Sequence, residues 1–319
     1  MKIPIPLAEL QQKQKQIMAG VYYRSALETN MQARLVKEAE EIAVGLRKLT
    51  GQPVTVLKPP PGGITTMSAR VPAPSIELKG EKRREDAAEK AGKDYGGDWD
   101  QVKDIARCTL VVEKATDCER ACAFVRAHFT GVRTNYLKEV APGRWDAGVG
   151  QATSEAFKRT GLQFHSEKII KPDSNACGYS GYTVFVRSGG ANANKGEIQI
   201  NYPAMMFAKS LKEFNASLGP DRAREIGGKY PIVPGGVGHA LYEVARAPGA
   251  EHTPKGKAYA AACKAYYDYF RSDPPSLDLG LKAHAALTKL TPPLPNVVLP
   301  KLPNTPSWMA ESRRFWTGH

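Results

Sequence analysis

The sequence holds no apolar run approaching the roughly 20 residues that cross a bilayer, and its opening MKIPIPLAELQQKQKQ lacks the apolar centre of a secretory leader. Those absences give the expectation of a chain that neither spans a membrane nor leaves the cell by a conventional signal. Cysteine is sparse and odd in number, five in 319 residues, so no complete disulfide framework is implied. Cys118 and Cys122 lie one helical turn apart, but the nearest histidine is His128 and no second Cys or His pair follows at zinc-finger spacing; they read as small apolar side chains. A G-x-x-x-x-G-K-[ST] loop and an H-E-x-x-H helix are both missing, and Gly178-Tyr179-Ser180-Gly181 is one residue short of a hydrolase elbow. P-loop, zincin and serine-hydrolase chemistries lose their support.

Acid is in deficit. Lys and Arg number 45 against 32 Asp and Glu, a formal charge of +13, which points to a polyanionic partner such as nucleic acid, a nucleotide phosphate chain or an acidic membrane face. A 42% hydrophobic and 24% charged composition is that of a folded chain. The length suits one large domain with extensions, or two small ones.

Leu35, Ala39, Ile42, Leu46 and Leu49 recur at helical spacing, so residues 7–49 read as helix, broken near Gly20, with a short strand at 53–57. Pro59-Pro60-Pro61-Gly62-Gly63 breaks what precedes it. A charged helix is predicted from Glu81 to about Lys93, then a buried strand in Asp104–Val112. Thr116 and Glu119 propose a capping box for the helix that follows. Residues 182–186 and 197–201 form two more strands around a Gly- and Asn-rich hairpin loop. Helices are predicted at about 203–217, 237–247 and 256–271, and the prolines after residue 272 suggest an extended or wrapping tail.

In the 197–201 strand, alternation places Glu197, Gln199 and Asn201 on one face and Ile198 and Ile200 on the other. Burying three polar groups unpaired would cost several kcal/mol, so that face meets solvent or a ligand. Asp104 stands at the mouth of the neighbouring strand. Two such carboxylates are a sound way to hold Mg²⁺, which takes its remaining ligands from water and phosphate; an ordinary solvated sheet face stays open as the alternative. Lys79, Arg83, Lys90 and Arg107 offer cations nearby for a triphosphate, unless the interleaved acids make an ordinary salt-bridged helix. Tyr179 in its glycine-flanked turn could stack a base, or serve as a core tyrosine.

The order of these pieces resembles the synthetase domain of the RelA/SpoT family over roughly residues 75–247. The most specific match is Glu197-Ile198-Gln199-Ile200, similar to the family's E-[IV]-Q-[IL] strand, joined to Gly178-Tyr179 and Asp104. The resemblance implies an α+β fold: a mixed β-sheet, nucleotidyltransferase-like synthetase core over 76–272, flanked by helices. It leaves an N-terminal helical extension at 1–58, a linker at 59–75 and a Pro-rich tail at 273–319. It implies Mg²⁺ on Asp104 and Glu197, with Glu197 helping to deprotonate the attacking hydroxyl. Lys79, Arg83, Lys90 and Arg107 would hold ATP, and Tyr179, Gln199 and Asn201 the acceptor. The reaction so implied moves the β,γ-pyrophosphate of ATP to a ribose 3′-hydroxyl of a purine nucleotide, in a small synthetase or a toxin. Such a toxin would act in the cytoplasm, of its own cell or of a target cell, and could have a neutralising partner protein.

Three positions depart from the family pattern: Thr109 and Asn201 where arginine is usual, and Thr183 where histidine often stands. They keep two further readings open. One is pyrophosphorylation of the tRNA 3′ end, which the basic, aromatic stretch Lys255–Arg271 would suit; the other is a non-catalytic RNA-binding or phage-associated protein that keeps the fold. Gly235-Gly236-Val237-Gly238-His239 also resembles a downstream element of toxin-type members. A helix start with glycines for close packing explains it equally.

Overall fold

The computed structural model describes residues 30–57, 88, 90–92, 95–97, 101–131, 138–141, 144–146, 155–189, 194–295 and 297–302. The expected site residues Lys79 and Arg83, the linker at 59–75 and the last residues of the tail lie outside them. The architecture is α+β, and the chain divides into two units with boundaries after residues 168, 181 and 201.

The first unit is built on a five-stranded mixed sheet in the order β1-β2-β7-β6-β5, formed by β1 (Val54–Leu57), β2 (Ala106–Val112), β5 (Leu162–Ile170), β6 (Gly181–Ser188) and β7 (Lys195–Asn201). A separate antiparallel ribbon pairs β3 (Lys138–Ala141) with β4 (Arg144–Asp146). β2 and β7 run parallel in the centre, and β1 and β6 flank them antiparallel. Helices α1 (Met31–Thr50) and α2 (Asp117–Thr130) pack on the sheet; α3 (Glu155–Thr160) precedes β5. Leu110, Val184, Val186, Ile198 and Ile200 are almost wholly buried, as the apolar run of β2 and the alternation of β7 predict. The 31–57 segment, expected as part of an extension, supplies a strand and a packing helix to this sheet. Thr116 takes a helical conformation, and its side chain makes no cap hydrogen bond to α2, so the expected capping box does not form.

One charged group holds the helices together. Glu38, fully buried on α1, accepts from His128 Nε2 of α2 at 2.6 Å and from Arg159 Nε and Nη2 of α3 at 3.0 and 2.6 Å. Burial alone would push its carboxyl up. The hydrogen bonds and charges of His128 and Arg159 outweigh that and hold it down at about 2.

The second unit is helical: α4 (Pro203–Lys209), α5 (Leu211–Leu218), α6 (Pro220–Lys229), α7 (Gly238–Ala245), α8 (Pro254–Arg271) and α9 (Leu277–Thr288). Ser210 ends α4 and caps α5, accepting from the Glu213 amide, so the single helix expected over 203–217 is two. Within the expected tail, Ser276 likewise caps α9, a helix whose Gly280, Ala283 and Leu287 are buried. The aromatic residues of α8 are core: Tyr259, Tyr266, Tyr267, Tyr269 and Phe270 are all nearly inaccessible, so the Lys255–Arg271 stretch presents no stacking platform for RNA. A Cβ at Gly238 would collide with the Tyr267 hydroxyl, and one at Gly235 with the Phe207 ring; the glycine motif is a packing device. His239 is half-buried beside Glu243, 3.5 Å away on the next turn of α7. Among the described residues no helix is long and apolar enough to cross a membrane.

Glu38→Ala should cost about 3 kcal/mol in urea unfolding at pH 7, because it empties a fully buried position and removes the acceptor that joins His128 and Arg159 to α1. The folded carboxyl lies below its ordinary value, so its contribution is complete above about pH 5 and is lost as the pH falls toward about 2. The variant's stability should therefore depend less steeply on pH in that range; equal slopes in both proteins would refute the assignment.

Candidate functional site

The site grows from strand register. Parallel pairing sets Arg107 beside Glu197, Thr109 beside Gln199 and Val111 beside Asn201. The antiparallel partner β6 adds Arg187 opposite Lys195, Phe185 opposite Glu197 and Thr183 opposite Gln199. Paired residues share a face, and this face alternates with the fully buried Ile198 and Ile200. Met31 of α1 touches the position of Gly196, which places α1 on the opposite, apolar face. The polar face therefore carries three cross-strand rows: Arg187–Lys195 at the hairpin end, then Phe185–Glu197–Arg107, then Thr183–Gln199–Thr109. The row of Thr183 and Thr109 holds two of the three departures from the family pattern, and the third, Asn201, follows next on β7.

Asp104, two residues before β2 and 7% exposed, accepts a hydrogen bond from Lys90 Nζ at 2.8 Å. Burial would lower the Lys90 pKa, but the charge and hydrogen bond of Asp104, assisted by Tyr95 and Glu197, raise it and keep the ammonium charged. Glu197 is half-buried, and Gln199 Nε2 donates to its Oε1 at 2.6 Å. Its pKa is raised, chiefly by burial and then by the negative charge of Asp104; Gln199, Arg107 and Lys90 pull the other way without cancelling it. The structure thus brings Asp104, Glu197, Lys90, Arg107 and Gln199 together. Asn201 continues the same face.

The two carboxylates fit a hard divalent cation. Each sits where its negative charge disfavours the other's, a conflict that a cation relieves. Magnesium asks for only one or two carboxylates when phosphate and water complete its shell. The described residues contain no cluster of three or more ligating side chains, so a cage made wholly of protein is not what this face offers.

Sequence reasoning missed the residue that steadies Arg107. Gln32, 3% exposed on α1, donates from Nε2 to the Arg107 carbonyl at 2.9 Å and accepts from its amide at 2.8 Å. β1 is paired with β2 as far as Leu57 opposite Thr109, and among the described residues no strand pairs with β2 at Arg107 on that side. The glutamine satisfies both backbone groups there. A lone polar residue in an amphipathic helix carries no signal of such a role.

Tyr179 belongs to the second unit. Asn175 brackets its backbone, accepting from the amide at 3.2 Å and donating to the carbonyl at 2.8 Å, while Arg271 donates to the Gly178 carbonyl. Gly178 has φ +65°, and a Cβ there would press on Lys264 at about 3 Å. The Tyr179 ring stands edge-on to Tyr267 at 5.5 Å and tilted to Tyr242 at 6.4 Å. All five cysteines are free and buried, as expected of small apolar residues.

No family model matches this chain. Its sequence is 30% identical over 193 residues to the (p)ppApp synthetase toxin Tas1 of Pseudomonas aeruginosa, covering 60% of this chain and 34% of the toxin. The chain thus spans about a third of the length of that curated relative. Among solved structures, one chain of the complex between the type VI effector Tas1 and its immunity protein is 24% identical, with 85% of this chain and 99% of that chain covered and a TM-score of 0.48. The small alarmone synthetase 1 of Bacillus subtilis bound to its product pppGpp is 15% identical, with 65% and 87% covered and a TM-score of 0.31. The synthetase resemblance read from Asp104, Gly178-Tyr179 and Glu197-Ile198-Gln199-Ile200 is borne out by the sequence match to Tas1.

A carboxyl whose folded pKa is raised costs stability wherever it is ionised, above its ordinary range, and costs nothing once protonated in both states. Glu197→Gln should therefore raise the urea midpoint at pH 7 and change it little at pH 4. Asp104→Asn should move the Glu197 titration downward, read by ¹³C NMR of the side-chain carboxyl. A midpoint that falls equally at both pH values would contradict this account of the site.

Proposed function

We propose that the chain is a pyrophosphokinase that transfers the β,γ-pyrophosphate of ATP to the ribose 3′-hydroxyl of a purine nucleotide, and that it acts as a toxin. The observation that carries the reading is Glu197: half-buried, raised in pKa, oriented by Gln199 and set in register beside Arg107. A base needs a pKa closer to working pH than a free carboxylate has, and a fixed orientation. Both are supplied here. The sequence match to a (p)ppApp synthetase toxin favours an adenine nucleotide as acceptor, and a toxin calls for a neutralising partner protein.

In this reading Glu197 takes the proton of the 3′-hydroxyl as its oxygen bonds to the β-phosphorus. The α–β anhydride breaks, and AMP leaves with the bridging oxygen. Arg107 and Lys90 lie where charge develops on the phosphoryl oxygens, and fixed cations there lower the barrier electrostatically. Asp104 and Glu197 would hold Mg²⁺, which when bound screens the phosphate charges. Lys90 donates to Asp104 and holds its carboxylate in place. Lys79 and Arg83 are proposed as further ATP contacts, with Tyr179 and Asn201 on the acceptor side. Thr109 and Thr183 leave short side chains on both flanks of Gln199, where the family pattern has longer ones; that difference bears on acceptor choice.

Purified protein given labelled ATP and Mg²⁺ should form AMP and a pyrophosphorylated adenine nucleotide, separated by thin-layer chromatography and identified by mass. Glu197→Gln should lower the rate by at least about 100-fold, the lower end of what a positioned base contributes, with folding intact. Parallel tubes with guanine nucleotides and with tRNA test the acceptor. Label confined to RNA, or no AMP with any acceptor, would overturn the proposal.

A further inference from the structure

The hairpin end of the polar face collects positive charge that the reaction just described does not use. Arg187 and Lys195 stand directly opposite each other on β6 and β7, and like charges in that relation destabilise a sheet. Lys103 adds a third cation, its Nζ 5.1 Å from the centre of the Phe185 ring, and Phe185 is the cross-strand neighbour of Glu197. His165 on β5 senses all of them. Its pKa is lowered, first by burial and then by the charges of Lys195, Lys103 and Arg187. Three cations gathered at one end of this face favour an anionic ligand there. The Arg187–Lys195 row lies two residues along the strand from Glu197, about 7 Å, a distance that a phosphate chain spans.

We infer that Lys103, Arg187 and Lys195 form a polyphosphate subsite, which holds the phosphate chain of one of the two nucleotides as it runs from the Asp104–Glu197 carboxylates toward the hairpin end of the sheet. The inference rests on the pyrophosphokinase reading for its nucleotide. The cationic row itself is independent of any reaction. Arg187 and Lys103 supply charge-assisted hydrogen bonds to terminal phosphate oxygens, and Lys195 supplies a point charge on the same row as Arg187.

His165 is a built-in reporter. In the full-length wild-type chain its ring resonances, assigned by their loss in His165→Gln, are titrated by NMR with and without inorganic tripolyphosphate at constant ionic strength. An anion in the subsite offsets the cations, so the His165 midpoint should move up when tripolyphosphate is added. In Arg187→Gln/Lys195→Gln the midpoint of the free protein should already be higher, and the apparent tripolyphosphate affinity should fall about tenfold or more, as expected for losing a charge-assisted hydrogen bond. In steady-state assays the single variants should raise KM about tenfold for one nucleotide and change kcat little; the nucleotide affected identifies whose phosphates lie here. A wild-type His165 that ignores tripolyphosphate, or a KM unchanged for both nucleotides, overturns the subsite. A protein that forms AMP while His165 stays silent defeats the subsite alone. A responding His165 without AMP formation upholds the subsite and defeats the reaction.

Discussion

The parallel pairing of β2 with β7 is the constraint on which the rest of the site depends. Side chains alternate with a period of two, so a slip of one residue would turn Glu197, Gln199 and Asn201 into the apolar layer and bring Ile198 and Ile200 out of it. The observed register prevents that by burying Ile198, Ile200, Cys108 and Leu110 beneath the helices. It also decides chemistry: Arg107 falls opposite Glu197, and the guanidinium stands two residues earlier on its strand than in the family pattern. The pairing is close at its start. Gly196 leaves only 3.1 Å between the position of a Cβ and the Ala106 carbonyl oxygen, with Met31 at 3.2 Å on the helix side.

Helix α1 is the strut for this register. Through Gln32 it bonds both backbone groups of Arg107, and through Glu38 it is tied to α2 and α3. An ion network at a fully buried carboxylate is a costly way to join three helices; apolar residues of the same volume often do as well. Its advantage is geometric. Two partners converging on one carboxylate fix the rotation of α1, and that rotation aims Gln32. Arg34 adds to the same tie by donating from Nε to the Thr160 carbonyl.

The parts legible in the sequence were those written in periodicity. The apolar run of β2, the alternation of β7 and the hairpin between β6 and β7 each declare one face, and Glu197, Gln199 and Asp104 follow from them. Glu38 and Gln32 were illegible because a buried polar residue in an amphipathic helix has the same letter as a solvated one; only the partners at positions 107, 128 and 159 distinguish it. The tyrosines of α8 misled for the opposite reason. Aromatic and basic residues alternate there as they would in a nucleic-acid surface, but helical geometry sends the rings inward and leaves the lysines outside. The break at Ser210 rests on a single side-chain cap within an otherwise helical run. Between residues 130 and 176 periodicity is weak, and β5 within that stretch carries His165 to the cationic end of the sheet.

The polar face is graded along the strands: cations at the hairpin end, the carboxylate beside arginine in the middle, then uncharged amide and hydroxyl groups at Thr183, Gln199 and Thr109. The central zone departs from what stability alone would select, since a half-buried carboxylate has its proton affinity raised there. A sheet with α1 and α2 packed on its other face can carry such a load because its apolar layer supplies the folding energy. The formal charge of +13 therefore has two distinct parts. Lys255 and Lys257 of α8 are solvated beside a packed aromatic core, whereas strand register sets Arg107 and the Arg187–Lys195 row on the face of Glu197, and an ion pair sets Lys90 at Asp104. Charge that strand register sets beside the carboxylates is the part that suits an anion.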